Sequence, residues 1–228
     1  MRKSSSEFLL EVIQLRGRVV LDVGCGDGAL TRLMAGRGAI VTGLEPNPAR
    51  IDAARAFPHV GGETYLVAGA QNLPAGDATV DLVVFSNSLH HVPVEDQQRA
   101  LEEAARVLRP GGIVFVAEPL AEGAHFELVR NFDDETEIRA KAYEALNAVQ
   151  DEGALVEERE VVMTAPIRYA SFEEFRDRVV AIEPARAAVA RQKDALLRDA
   201  FLRLGAPDGD GRLFDQPVRV TVLRRPKA

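Results

Sequence analysis

Seven consecutive residues, Asp22-Val23-Gly24-Cys25-Gly26-Asp27-Gly28, combine two carboxylates with three glycines, a set suited to holding a small ligand against bare backbone. Glycine has no Cβ, so the chain can turn sharply at these positions and come within contact distance of a bound molecule. Ahead of the loop lies the apolar run Val19-Val20-Leu21, and behind it Ala29-Leu30-Thr31-Arg32-Leu33-Met34 has helical spacing. Strand, glycine loop and helix in that order make a nucleotide-binding turn. The same letters satisfy the dinucleotide pattern G-x-G-x-x-A through Gly24, Gly26 and Ala29, so glycine spacing alone leaves two ligand classes open. Charge argues between them. A helix N-terminus facing a pyrophosphate gains nothing from acidic neighbours, whereas Asp22 and Asp27 suit a ligand carrying positive charge, such as the sulfonium and ammonium groups of S-adenosylmethionine. Asp27 also fits a helix N-cap, which either ligand would allow.

Further along, Val41-Thr42-Gly43-Leu44-Glu45 reads as a second strand ending in an acid. Ala70-Gln71-Asn72-Leu73-Pro74, Asp77 and Asp81-Leu82-Val83-Val84-Phe85 read as a loop and another strand, followed by Ser86-Asn87-Ser88-Leu89-His90-His91-Val92. Val107-Leu108-Arg109-Pro110-Gly111-Gly112 forms a turn into a further strand, Ile113 to Glu118. With these motifs in order over residues 19 to 119, the chain resembles the class I S-adenosylmethionine-dependent methyltransferases, specifically the small-molecule, type 11-like branch with the pattern VLDVGCGxG. The resemblance implies an α/β fold: a Rossmann-like, doubly wound sheet of seven strands whose last strand runs antiparallel. It also implies an enzyme that binds S-adenosyl-L-methionine, passes its methyl group to an O, N or C nucleophile of a small molecule, and releases S-adenosyl-L-homocysteine.

Carried over position by position, the resemblance brings the backbone at Gly24, Cys25, Gly26 and Gly28 to the methionine moiety, with Asp22 near the ammonium. Glu45 is expected on the ribose hydroxyls, because a carboxylate at a strand end offers paired acceptors of charge-assisted strength. Pro46 and Asn47 border the adenine, and the Ala70 N–H donates to the ring. Relatives carry an Asp before that alanine; this chain has Gly69, which leaves Gln71 or Asn72 to offer a neutral carbonyl to the exocyclic amine. Ser86 and Asn87 line the cofactor. His90 and His91 fall beside the transferable methyl group and read either as a base or acceptor-orienting group or as packed structural residues. Glu118 either faces the pocket or caps the next turn. Arg168 would clamp an anionic acceptor or else is a solvated arginine beside a core tyrosine, Tyr169. No metal is expected, since His90, His91 and His125 lack neighbours at ligand spacing. A general base is needed only when the acceptor is a protonated oxygen or nitrogen. Two other readings remain: a non-catalytic S-adenosylmethionine-binding module, and a nicotinamide-dependent oxidoreductase, which leaves the 73–81 segment and the 109–112 turn unexplained.

Alternating periods supply the elements that must position these residues. Strands are expected near Val19–Val23, Ile40–Leu44, Tyr65–Val67, Leu82–Ser86, Ile113–Ala117, Val156–Pro166 and Val218–Leu223. Helices are expected near Leu30–Arg37, Pro48–Ala56, Val94–Leu108, Phe132–Gln150, Phe172–Ala181 and Pro184–Leu204, with a short amphipathic one starting at Ser6. At 228 residues and 46% hydrophobic content the chain is read as one domain, with a cofactor-binding half at 19–119 and a substrate-side half at 120–228. The resemblance makes the helices around 170–205 an insertion covering the pocket. The net charge is −7, and 11 basic against 14 acidic residues before Leu120, 17 against 21 after it, leave neither half basic. A nucleic-acid or anionic-membrane partner is therefore disfavoured, and a small-molecule acceptor is the expected partner. The single cysteine excludes an internal disulfide. No apolar run approaches the ~20 residues of a membrane span, and charge interrupts the apolar residues after Met1–Glu7, so a cytoplasmic location is expected.

Overall fold

The computed structural model describes residues 2–227. Its strands are β1 (Val19–Val23), β2 (Ile40–Glu45), β3 (Gly62–Val67), β4 (Val80–Ser86), β5 (Leu108–Pro119), β6 (Val156–Tyr169), β7 (Ala206–Asp208) and β8 (Gly211–Arg224). The helices are α1 (Ser5–Val12), α2 (Ala29–Ala35), α3 (Pro48–Ala56), α4 (Gln97–Val107), α5 (Ala124–Val129), α6 (Thr136–Asp151), α7 (Phe172–Ile182), α8 (Arg186–Gln192) and α9 (Asp194–Leu204). All strands join one sheet in the order β3-β2-β1-β4-β5-β8-β6, with β7 paired to β8. β1 lies parallel to β2 and β4, and the parallel pairing continues outward to β3 and β5. The last strand reverses. Gly111 donates to the Arg225 carbonyl, Arg225 to the Gly112 carbonyl and Leu120 to the Pro217 carbonyl, so numbers fall along one strand as they rise along the other. The expected mixed α/β sheet with an antiparallel last strand is therefore present, extended by the short β7.

Backbone contacts divide the chain into two compact units. Among the described residues, one takes 5–118, 138–161 and 219–227; the other takes 2–4, 119–137 and 162–218. The core of the first unit follows from strand register. Leu21 is in register with Val83 and Val83 with Val114, while Val23, Phe85 and Val116 make the next row. Side chains two apart share a sheet face, so both rows bury together against Leu101, Ala104 and Val107 of α4 and Ala142, Leu146 and Val149 of α6. Asp22, between the two rows, therefore points to the opposite face.

The second unit has an aromatic core: Tyr169, Phe172, Phe175, Phe201 and Phe214, with ring centroids as close as 5.2 Å for Phe201 and Phe214. His125 shares a 2.9 Å hydrogen bond with the Tyr169 hydroxyl, and burial pushes that phenol up to about 12. Arg168 is engaged by Asp208 and Asp210 at 2.9 and 2.6 Å, which answers its charge within this unit. The expected helix Phe132–Gln150 begins only at Thr136. Before it, Asn131 donates to the Glu127 and Leu128 carbonyls and closes α5, and Asp134 accepts from the Thr136 N–H, opening α6. The expected helix Pro184–Leu204 is two helices, broken at Lys193, whose ammonium reaches the Asn131 carbonyl at 2.7 Å. The Arg109–Gly112 turn is absorbed into β5 as a bulge. Val80 pairs with Leu108 and Leu82 with Ile113, two steps along β4 against five along β5, with Gly111 at φ 79°.

Gly43 shows how tightly β2 meets the glycine loop. A Cβ there would lie 2.9 Å from Cys25 Sγ, 2.9 Å from Tyr65 Cδ1 and 3.0 Å from Thr31 Oγ1. Gly43→Ala is expected to cost about 1–3 kcal/mol, the usual range for overpacking a close-packed site. Urea unfolding tests this, and an unchanged midpoint would contradict the packing.

Candidate cofactor site

The first unit collects the motif residues at the carboxyl ends of β1, β2 and β4, where open α/β sheets bind ligands. Both Gly24 and Cys25 donate to the Leu44 carbonyl, at 2.7 and 2.9 Å, which joins the end of β1 to the end of β2 just ahead of Glu45. Gly24, Gly26 and Gly28 have φ of 74°, 57° and 78°, the left-handed region that favours glycine. Two of them are required by the protein's own packing. A Cβ on Gly24 would overlap Ser88 Cβ, and one on Gly28 would sit 2.6 Å from Tyr65 Cε1. Gly26 is different: the nearest atom to a Cβ there would be Arg50 Nη1 at 3.6 Å, so its face is the open one.

Glu45 is 93% buried, and its two carboxylate oxygens each accept one backbone N–H: Oε2 from Gly26 at 3.2 Å, Oε1 from Asn47 at 3.0 Å. A carboxylate oxygen has two lone-pair directions, so each retains one for a further donor. Asn47 caps α3 by accepting from the Ala49 N–H at 3.0 Å, and Pro48 occupies the first turn, where a missing N–H costs nothing. Asn47 and Pro46 stand exposed beside Glu45. The cap of α2 differs from the sequence expectation. Gly28 is the N-cap, while the Asp27 carboxylate accepts from the Ala29 N–H at 3.2 Å.

Asp22 is buried, and its Oδ2 accepts a 2.6 Å hydrogen bond from the Thr31 hydroxyl. Desolvation dominates, pushing the carboxyl up to about 6 despite the Thr31 contacts. Cys25 is pushed up to about 12, first by burial and then by the charges of Asp22 and Glu45. It is a neutral thiol, with no nucleophilic activation.

Ala70 is buried and Gln71 half-buried in the loop after β3, with Asn72 exposed. A Cβ on Gly69 would overlap Gln71 Oε1, so the Gln71 carbonyl already fills the space into which a side chain at 69 would project. Beyond β4, Ser86 is half-buried and Asn87 takes φ 54°. The Ser88 hydroxyl donates to the Val23 carbonyl at 2.6 Å, seating the next turn on the glycine loop. Glu118, at the end of β5, accepts the Ser88 and Leu89 N–H groups at 3.1 and 2.9 Å and binds His90 Nδ1 through its other oxygen. It thus caps the 3-10 turn Leu89–His91 and holds the buried His90, while His91 is exposed with its ring 4.0 Å from that of His90. Thr31, which bonds Asp22, and Ser88, which bonds the Val23 carbonyl, are given no role in the sequence reading. Thr31 had a usable signal, falling in the first helical turn after the loop.

These features agree with the comparisons. Residues 21–116 match the model of a methyltransferase domain, and the sheet has the Rossmann-like fold of methyltransferases. An uncharacterised methyltransferase of Mycobacteroides abscessus is 41% identical over 111 residues, 47% of this chain and 42% of that protein. The ubiquinone biosynthesis O-methyltransferase of Coxiella burnetii is 34% identical over 111 residues, 48% of this chain and 47% of that protein. The chain thus spans less than half the length of these relatives. A Bacillus halodurans protein provisionally named a methyltransferase shares the fold, with a TM-score of 0.69 at 20% identity, covering 99% of this chain and 100% of that one. Among the described residues no helix is long and apolar enough to cross a membrane.

The raised Asp22 carboxyl generates a prediction. Between about 4 and about 6 the folded protein keeps a proton that the unfolded chain has released, so this group lowers stability as pH rises through that window. In Asp22→Asn the penalty is gone while Thr31 keeps an acceptor. Urea unfolding across the window should show the variant gaining on the wild type with rising pH and then levelling off; a constant difference would refute the desolvation.

Proposed function

We propose that this chain binds S-adenosyl-L-methionine at the carboxyl ends of β1 and β2 and transfers its methyl group to a small-molecule acceptor. The observation that carries the reading is Glu45, a nearly buried carboxylate that pins the glycine loop through Gly26 and keeps a lone-pair direction on each oxygen for vicinal hydroxyls. The open face at Gly26 and the buried Asp22 fit a cationic amino-acid end better than a pyrophosphate, which the acidic surroundings would repel. When bound, the cofactor supplies an activated methyl group on a sulfonium that leaves as a neutral thioether.

The protein's own part is placement. The Gly24 to Gly28 backbone and Asp22 hold the methionine end, Glu45 holds the ribose, and Ala70 with Gln71 faces the adenine. Gln71 takes over from the acid that relatives carry at position 69, its neutral carbonyl accepting from the exocyclic amine. Orientation of an acceptor in line with the methyl–sulfur bond contributes up to roughly 7–11 kcal/mol to such a reaction. His90, oriented by Glu118, and the exposed His91 are the groups to deprotonate or orient an acceptor hydroxyl or amine. The acidic surface and the O-methyltransferase relative favour a small-molecule acceptor over nucleic acid.

Calorimetric titration with S-adenosylmethionine, S-adenosylhomocysteine and NADH in parallel tests the reading. Micromolar binding of a sulfur nucleotide without NADH binding is expected; binding of NADH alone would return the loop to a dinucleotide role. Glu45→Ala should weaken S-adenosylhomocysteine by about 1.5–3 kcal/mol, the value of a hydrogen-bonded charged acceptor. An unchanged affinity would remove Glu45 from the site. Gln71→Ala should weaken it by about 0.5–1.5 kcal/mol, the contribution of a neutral hydrogen bond, and an unchanged affinity would separate Gln71 from the adenine.

A further inference from the structure

The segment between β3 and β4 contains no helix or strand, yet one residue of α4 holds it at four successive points. Arg106 Nη2 donates to the Leu73 carbonyl at 3.2 Å, and Nη1 donates to the Ala75 carbonyl at 3.0 Å and to Asp77 Oδ1 at 2.6 Å. The Arg106 main-chain carbonyl then accepts the Ala78 N–H at 3.1 Å, where the chain passes through φ 55°. Glu103, one helical turn earlier, accepts Arg106 Nε and Nη2 at 2.7 and 2.8 Å and the Leu73 N–H at 3.0 Å. At the other end of the segment the Ala68 N–H donates to the Glu45 carbonyl at 3.3 Å. Ala70, Gln71 and Asn72 therefore span a short gap between two fixed points, one on Glu45 and one on the Arg106–Glu103 pair.

We propose that Arg106, braced by Glu103, is a positioning residue for the adenine end of the cofactor: it sets where the Ala70 N–H and Gln71 stand. This rests on the S-adenosylmethionine reading above. The task suits arginine, whose rigid fork presents five donors in a plane and satisfies two carbonyls and two carboxylates at once. A lysine at 106 keeps the charge and the helix but cannot reach all four acceptors. Without the Arg106 donors the Ala75 carbonyl would turn to water, the Leu73 carbonyl would keep only the Ala75 N–H at 2.8 Å, and the segment would loosen.

The test compares wild type with Arg106→Lys by amide hydrogen exchange in the free protein and by calorimetric titration with S-adenosylhomocysteine and with adenosine. Exchange over residues 70–77 should quicken while β1 and α2 stay protected. Both affinities should fall by the same factor, about 10-fold or more, because the loss lies at the nucleoside end. Asp22→Asn, acting on the amino-acid end, should weaken S-adenosylhomocysteine and spare adenosine. If exchange over 70–77 is unchanged, or if Arg106→Lys binds adenosine like wild type, the positioning role is overturned while the cofactor reading stands. Wild type binding neither ligand would overturn the cofactor reading and this inference together. Glu103→Gln, which preserves shape, should show the same pattern with a smaller factor, and it decides the matter if Arg106→Lys does not fold.

Discussion

The carbonyl of Leu44 is the point on which the site depends. By accepting from both Gly24 and Cys25 it fixes the glycine loop to the end of β2, and the next residue, Glu45, returns a carboxylate oxygen to Gly26. The loop is thus bonded to a backbone oxygen and a side-chain oxygen of adjacent residues. Its conformation is set before any ligand arrives, which reduces the ordering cost of binding. Ser88 and Tyr65 close in where Gly24 and Gly28 have no side chains, so the left-handed turns are locked by packing as well as by hydrogen bonds.

Much of this was legible in the sequence because the parallel sheet writes itself in apolar runs and the loop in glycines. β1 and α3 fall where their patterns put them, since Pro48 and the Asn47 cap mark one start unambiguously. The second half was harder. Periodicity ran through Phe132 and Lys193 without a break, and nothing in it announced that the Asn131 amide would end α5 or that a lysine ammonium would settle on the Asn131 carbonyl between two helices. Those are contacts distant in sequence, and hydrophobic spacing does not encode them.

In the site, residue types were readable and partners were not. The glycines read as room for a ligand, yet two of the three make room for Ser88 and Tyr65. Glu118 looked like either a pocket acid or a cap; one oxygen caps the turn at Ser88 and Leu89 while the other binds His90, so the two descriptions fit the same carboxylate. Gly69 looked like a deficit until Gln71 appeared in the space it leaves.

The core of the first unit joins Leu21 to Leu223, two residues far apart in sequence. Synthesis produces the glycine loop long before Leu223, so the apolar cluster beneath it stays short of that member while the residues between them are made. Contacts so distant in sequence carry a loop-closure cost that is repaid late, so this unit belongs with slow, high-contact-order folders. The aromatic core of the second unit, from Leu128 to Phe214, is drawn from a narrower stretch of chain and has the shorter closures. Until Leu223 joins it the sheet is incomplete, a state whose unpaired edges and exposed apolar surface favour mispairing.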